Sequence, residues 1–64
     1  MNTDWNELLK DAEKENLIHY AYSGLAVLDF RETSEKIRNK IIKKAEKFNF
    51  ITQANKTGAI LELN

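Results

Sequence analysis

Residues 17–30 read LIHYAYSGLAVLDF, and the fold turns on how the first half of that stretch behaves. Two patterns compete between Leu17 and Tyr22. As the continuation of a helix, Ile18 and Ala21 extend an apolar side. As a strand, Ile18, Tyr20 and Tyr22 alternate, and Ser23-Gly24 makes a two-residue hairpin turn. The helical or irregular version is the expectation adopted, with the strand as its rival. Leu25 to Phe30 reads as a strand, with Ala26, Leu28 and Phe30 on one face and Leu25 and Val27 on the other. Apolar residues on both faces predict a strand covered from both sides.

Upstream, Thr3 or Asp4 suits a helix N-cap, and Trp5, Leu8, Leu9 and Ala12 recur at helical spacing, which predicts a helix over 4–15. Downstream, Thr33 or Ser34 caps a second helix that runs to about Phe48. Phe50 to Ala54 and Ala59 to Leu63 then form a hairpin, with Gly58 as the expected left-handed turn residue. The order is α-β-α-β-β. The fold class expected is a single α+β domain over 1–64, a small three-stranded antiparallel sheet with two helices on one face. A winged helix is the alternative: 17–28 become a helix, the lysine-rich helix reads the duplex, and 50–63 form the wing. No internal repeat, linker or low-complexity segment stands out.

The chain has 64 residues with no cysteine and no proline. Disulfides and thiolate metal sites are therefore excluded, and a fold this small buries only about 60% of its unfolded surface. The lack of cysteine fits a reducing compartment. The longest apolar run, Leu25 to Leu28, is far shorter than the roughly 20 residues of a membrane helix. With no signal peptide visible, the expectation is a cytoplasmic protein with no membrane partner.

Formal net charge is zero, yet residues 1–16 sum to −3 and residues 31–47 to +4. On a helical wheel Lys36, Lys40, Lys43 and Lys47 form one stripe, with Lys44 at its flank. Opposite lie Ile37, Ile41, Ile42, Ala45 and Phe48. Arg38 falls inside this apolar arc. Either its stem packs on the core while its guanidinium escapes toward Asp29 or Glu35, or it presents a fixed fork for phosphate or carboxylate.

Several residues around Arg38 resemble the single-stranded nucleic-acid-binding domain named for its R-x-x-x-H motif. Leu28-Asp29-Phe30 is similar to the strand ahead of that motif, and Arg38 stands at the arginine. Ala45 matches an alanine three residues beyond the histidine position. Phe50-Ile51-Thr52 and Lys56-Thr57-Gly58-Ala59-Ile60 resemble the strands that follow. The histidine position itself is Ile42, and Leu61 and Glu62 replace an arginine frequent in the last strand. The resemblance covers about residues 25–63 and implies three antiparallel strands, helices on one side and single-strand binding.

A polyanion would be held by Lys36, Arg38, Lys40, Lys43, Lys44 and Lys47, with Tyr20 and Tyr22 as base-stacking candidates. The bland counterpart is a solvated lysine face. Phe30, Phe48 and Phe50 read as core. His19 has no second ligand at metal spacing, and no nucleophile–base set or glycine-rich phosphate loop can be assembled. The chain therefore reads as no enzyme, with no cofactor. Its expected role is a small nucleic-acid-binding module preferring single strands. The alternative is a protein-interaction module, a regulator or inhibitor, that uses the acidic first helix. A homodimer through Trp5, Tyr20 and Tyr22 is compatible with both.

Overall fold

The computed structural model describes residues 3–63. Helix α1 spans Thr3–Lys14 and α2 spans Glu35–Lys47. Both helices stop by the same device. Asn16 and Asn49 adopt left-handed backbone angles, with φ of 62° and 65°. Asn16 N–H donates to the Glu13 carbonyl at 3.0 Å and Leu17 N–H to Ala12 at 2.9 Å. Asn49 N–H donates to Glu46 at 3.1 Å and Phe50 N–H to Ala45 at 2.9 Å. This is the Schellman pattern, which satisfies the last carbonyls and turns the chain sharply. The apolar residues that follow, Leu17 and Phe50, are buried beside Ala12 and Ala45. At its start α2 is capped by Ser34, whose Oγ accepts from Ile37 N–H at 3.2 Å. Thr3 and Asp4 already belong to α1, so neither is the cap expected of it.

After each helix comes a hairpin. Strands β1 (Ile18–Tyr22) and β2 (Leu25–Asp29) follow α1, and β3 (Ile51–Ala54) and β4 (Gly58–Glu62) follow α2. The segment expected to be helical or irregular is thus a strand. Its turn decides the matter: Ser23 and Gly24 have φ of 46° and 83°. Positive φ at both central residues is the two-residue turn whose twist matches an antiparallel ribbon. The expected three strands become four, in the order β1-β2-β4-β3, all antiparallel. A winged helix is excluded, because residues 18–28 form a hairpin where that fold needs a helix.

The chain also contains a repeat that its sequence hides. Ala12, Asn16, Ile18, Ala26 and Leu28 recur as Ala45, Asn49, Ile51, Ala59 and Leu61, each 33 positions later. The geometry follows that offset. β2 and β4 pair about Val27↔Ile60, with Ala26 opposite Leu61 and Leu28 opposite Ala59. Asp29 N–H donates to Leu17 O at 2.8 Å, and Glu62 N–H to Phe50 O at 2.7 Å. Phe30 N–H donates to Thr57 O at 2.9 Å, and Leu63 N–H to Gly24 O at 2.7 Å. β1 and β3 each carry a bulge at their second residue, His19 and Thr52. The protein is therefore two α-β-β units related by an approximate two-fold axis normal to the sheet.

Both helices cover one face of the sheet. The core holds Trp5, Leu8 and Ala12 of α1, Ile41 and Ala45 of α2, and Ala26, Leu28, Ala59 and Leu61 of the central strands. Trp5 meets Phe50 edge-on, with ring centroids 5.1 Å apart. Such a pair adds about 1 kcal/mol beyond its area. Phe30 and Phe50 are core as expected, whereas Phe48 is only half-buried. Trp5 is 5% exposed, which removes it from any surface.

Gly58 does not have the left-handed backbone expected of it; among the described glycines only Gly24 has positive φ. The turn is organised by Asn55 instead, whose Oδ1 accepts from Thr57 N–H at 2.8 Å and Gly58 N–H at 3.1 Å. Gly58 is needed for close approach, since a Cβ there would lie 2.5 Å from the Leu28 carbonyl oxygen. Gly58→Ala must push β4 away from β2 and is expected to cost about 2 kcal/mol in urea unfolding. A midpoint within error of the parent would show that β4 has the slack to move.

Candidate functional site

Two surfaces of opposite chemistry lie on opposite sides of the molecule. The first is the outer side of the helical layer. Lys36, Lys40, Lys43 and Lys47 are all exposed along α2, over about 16 Å of helix. Lys44 turns aside: its Nζ donates to Asp11 Oδ2 of α1 at 2.6 Å. That bond holds the Asp11 carboxyl below its usual range and the Lys44 ammonium above its own. Both side chains stay about 40% exposed, so the pair is worth about 0.5 kcal/mol and mainly orients two neighbouring helices. Asp11 and Lys44 are themselves equivalent positions of the repeat, which puts the bridge close to the two-fold axis.

Arg38 occupies the position that Trp5 fills in the first unit. Trp5, Phe48 and Phe50 close one pole of the core. At the opposite pole their counterparts are Arg38, Glu15 and Leu17. There an open hollow of about 280 Å³ remains, lined by Glu15, Asn16, Leu17, Asp29, Glu32 and Thr33. Arg38 is half-buried, and its guanidinium donates to the Asn39 side-chain oxygen at 3.5 Å. Neither Asp29 nor Glu35, the acceptors its position suggested, bonds to it. Asp29 instead accepts from Arg31 Nε at 3.0 Å and Nη2 at 2.8 Å. Among the described residues, no three carboxylate or imidazole groups converge well enough to hold a metal ion.

The second surface is the outer face of the sheet, which no described element covers. Cross-strand register places Tyr20, Val27, Ile60 and Gln53 in one row across all four strands. Tyr22, Leu25 and Glu62 form the row beside it. Tyr20, Tyr22 and Leu25 are 49%, 71% and 37% exposed. The tyrosines and the lysine stripe therefore sit a full molecular thickness apart. One bound strand cannot stack on Tyr20 and Tyr22 while its same nucleotides lie along α2. Sequence spacing alone could not show this, because the helical expectation for residues 17–22 left the direction of the tyrosines open.

No family model, no curated protein and no solved structure matches the chain. No helix among the described residues is long and apolar enough to cross a membrane.

The hydrogen bonds from Arg31 bring the Asp29 carboxyl down to about 2 from its ordinary 3.8. Its folded-state value is the lower one, so its contribution to stability is present above pH 3.8 and is lost as pH falls toward 2. Arg31→Ala removes the three side-chain bonds and keeps the backbone N–H bond, so the Asp29 titration followed by carboxyl ¹³C shift should move part of the way back toward 3.8. A midpoint that stays put would mean that the Arg31 fork is not formed in solution.

Proposed function

We propose that the chain is a small nucleic-acid-binding module that holds the phosphates of a single strand along the outer side of α2. One observation carries this reading. Lys36, Arg38, Lys40, Lys43 and Lys47 lie on one helix, and none makes an ion pair with a carboxylate among the described residues. The four lysines track the backbone as point charges, and the half-buried Arg38, which leaves the inner side of α2 in its first turn, engages a phosphate only where the strand bends around the helix start. Acidic α1 lies alongside, with Asp4, Glu7 and Glu13 exposed. The positive field is thus confined to a strip about one helix wide. Two features support a single strand over a duplex. The residues quoted around Arg38 resemble the R-x-x-x-H domain. In addition, α1 packed beside α2 hinders entry into a major groove about 12 Å wide, which admits one helix.

Titration of labelled single-stranded and duplex oligonucleotides by fluorescence anisotropy tests the reading. For four or five contacts on a single strand, log K should fall against log salt with a slope of about −3. Arg38→Ala should reduce that slope by about 0.7, and Tyr22→Ala should leave affinity unchanged. Lys36→Glu with Lys43→Glu should remove binding while circular dichroism stays that of the parent. Flat curves at low salt would overturn the proposal. The exposed carboxylates of α1 would then be the better surface, for a basic protein partner.

A further inference from the structure

We infer that the outer face of the sheet pairs with the same face of a second copy, across a two-fold axis lying along the row Tyr20–Val27–Ile60–Gln53, in a weak reversible dimer. An antiparallel sheet with one face in water normally alternates apolar-in with polar-out. Here β2 and β4 break that rule: Leu25, Val27 and Ile60 point outward beside Tyr20 and Tyr22. The apolar pattern on both faces of β2 calls for a cover that no described part of the chain supplies. Strand addition is blocked at both edges, because β1 and β3 each carry a bulge that interrupts the ladder. That leaves the face itself.

The charges of this face select its occupant. Within the four strands the formal charges are Asp29 and Glu62, both carboxylates, and the cation that lines the face, Arg31, is already paired with Asp29, so a polyanion finds no unpaired cation in the strands. Glu62 stands at one end of the face, beside Leu25, and Asp29 at the other, beside Gly58. Arg31 holds Asp29 and still has a side chain that is 72% exposed, with Nη1 making no hydrogen bond among the described residues. A two-fold axis along the central row exchanges the two ends. It brings Arg31 of each copy toward Glu62 of the other and sets Tyr20, Val27 and Ile60 against their own counterparts. Gly58 has no side chain and leaves a shallow hollow with Val27, Gln53, Thr57 and Ile60. The second copy's Glu62 side chain would enter there.

Size sets the strength. Four strands about 4.8 Å apart and five residues long give a face of roughly 320 Å², against about 800 Å² per partner in a stable interface. A concentration-dependent dimer is therefore expected. Sedimentation velocity from about 10 μM to about 1 mM should show monomer passing into dimer. Tyr20→Glu sets two like charges against each other on the axis and should weaken dimerisation by at least about tenfold. Arg31→Glu and Glu62→Arg, both at exposed positions, should each weaken it alone, and mixing the two variants should restore a heterodimer. A monomer throughout would overturn the inference. So would a dimer unaffected by Tyr20→Glu, or charge variants that fail to recover on mixing. If Tyr20→Glu does not fold by circular dichroism, the mixing experiment decides. Loss of oligonucleotide binding in Tyr20→Glu, with dimerisation intact, would assign the face to nucleic acid.

Discussion

The pairing of β2 with β4 about Val27 and Ile60 is the constraint on which everything else depends. Each α-β-β unit taken alone is a helix lying on a two-stranded ribbon, and such a ribbon is at best marginal in water. Joining β2 to β4 makes one sheet of four strands, and it sets Ala26 against Leu61 and Leu28 against Ala59. Large opposite small on the inner face lets the two units interlock without a void. The helices then meet above this seam, and Trp5 of one unit reaches Phe50 of the other. The same seam explains why Gly58 has no side chain: its backbone must come within reach of the Leu28 carbonyl for the ladder to close.

Much of this was legible in the residues. The apolar spacing of Trp5, Leu8 and Ala12 marks α1, the Ser34 cap marks α2, and the alternation in residues 51–63 marks the second hairpin. What stayed hidden has identifiable causes. Leu17 to Tyr22 carries apolar residues at both helical and strand spacing, so the decision passed to Ser23-Gly24, and a serine with positive φ is a weak signal beside Asn-Gly or Asp-Gly. The repeat was masked because its conserved positions are small or structural, such as the paired alanines and the Asn helix stops. The conspicuous residues are those that differ: Trp5 against Arg38, Glu7 against Lys40, Asp11 against Lys44. A glycine between strands suggests a turn conformation, whereas at Gly58 the pressure comes from the neighbouring strand.

Arg38 becomes intelligible once its counterpart is known. At the Trp5 position an indole locks the start of α1 onto Phe50, and Phe48 completes an aromatic pole. The second unit has a flexible cation in that place, with Leu17 where Phe50 stands and Glu15 where Phe48 stands. The pole is left open over a hollow with Glu15, Asp29 and Glu32 in its lining. The two units have thus kept one backbone plan and diverged in what fills it. One end of the molecule is consolidated by rings, and the other retains a guanidinium that makes no ion pair among the described residues. Arg38 interrupts the apolar arc of α2 where the other unit has an indole, and it lies half-buried with its guanidinium bonded only to the Asn39 side chain among the described residues.

The same divergence governs charge. Glu7 and Lys40, and Asp11 and Lys44, are equivalent positions with opposite signs, so a symmetric backbone carries an antisymmetric helical layer. Their mutual attraction favours the antiparallel pairing of α1 with α2, and Lys44 on Asp11 is a direct contact of this kind. It also lets a chain of zero net charge keep a basic strip, because most of the compensating acids lie on α1 and beyond, with only Glu35 and Glu46 on α2 itself. The sheet face takes no part in this polarity. Its central row is uncharged, with Tyr20, Val27, Ile60 and Gln53, and its carboxylates Asp29 and Glu62 stand at the two ends. A small two-layer protein has only two broad faces. In this one, the inward–outward alternation of the central strands leaves one face for apolar contact, and the helical stripe leaves the other for charge.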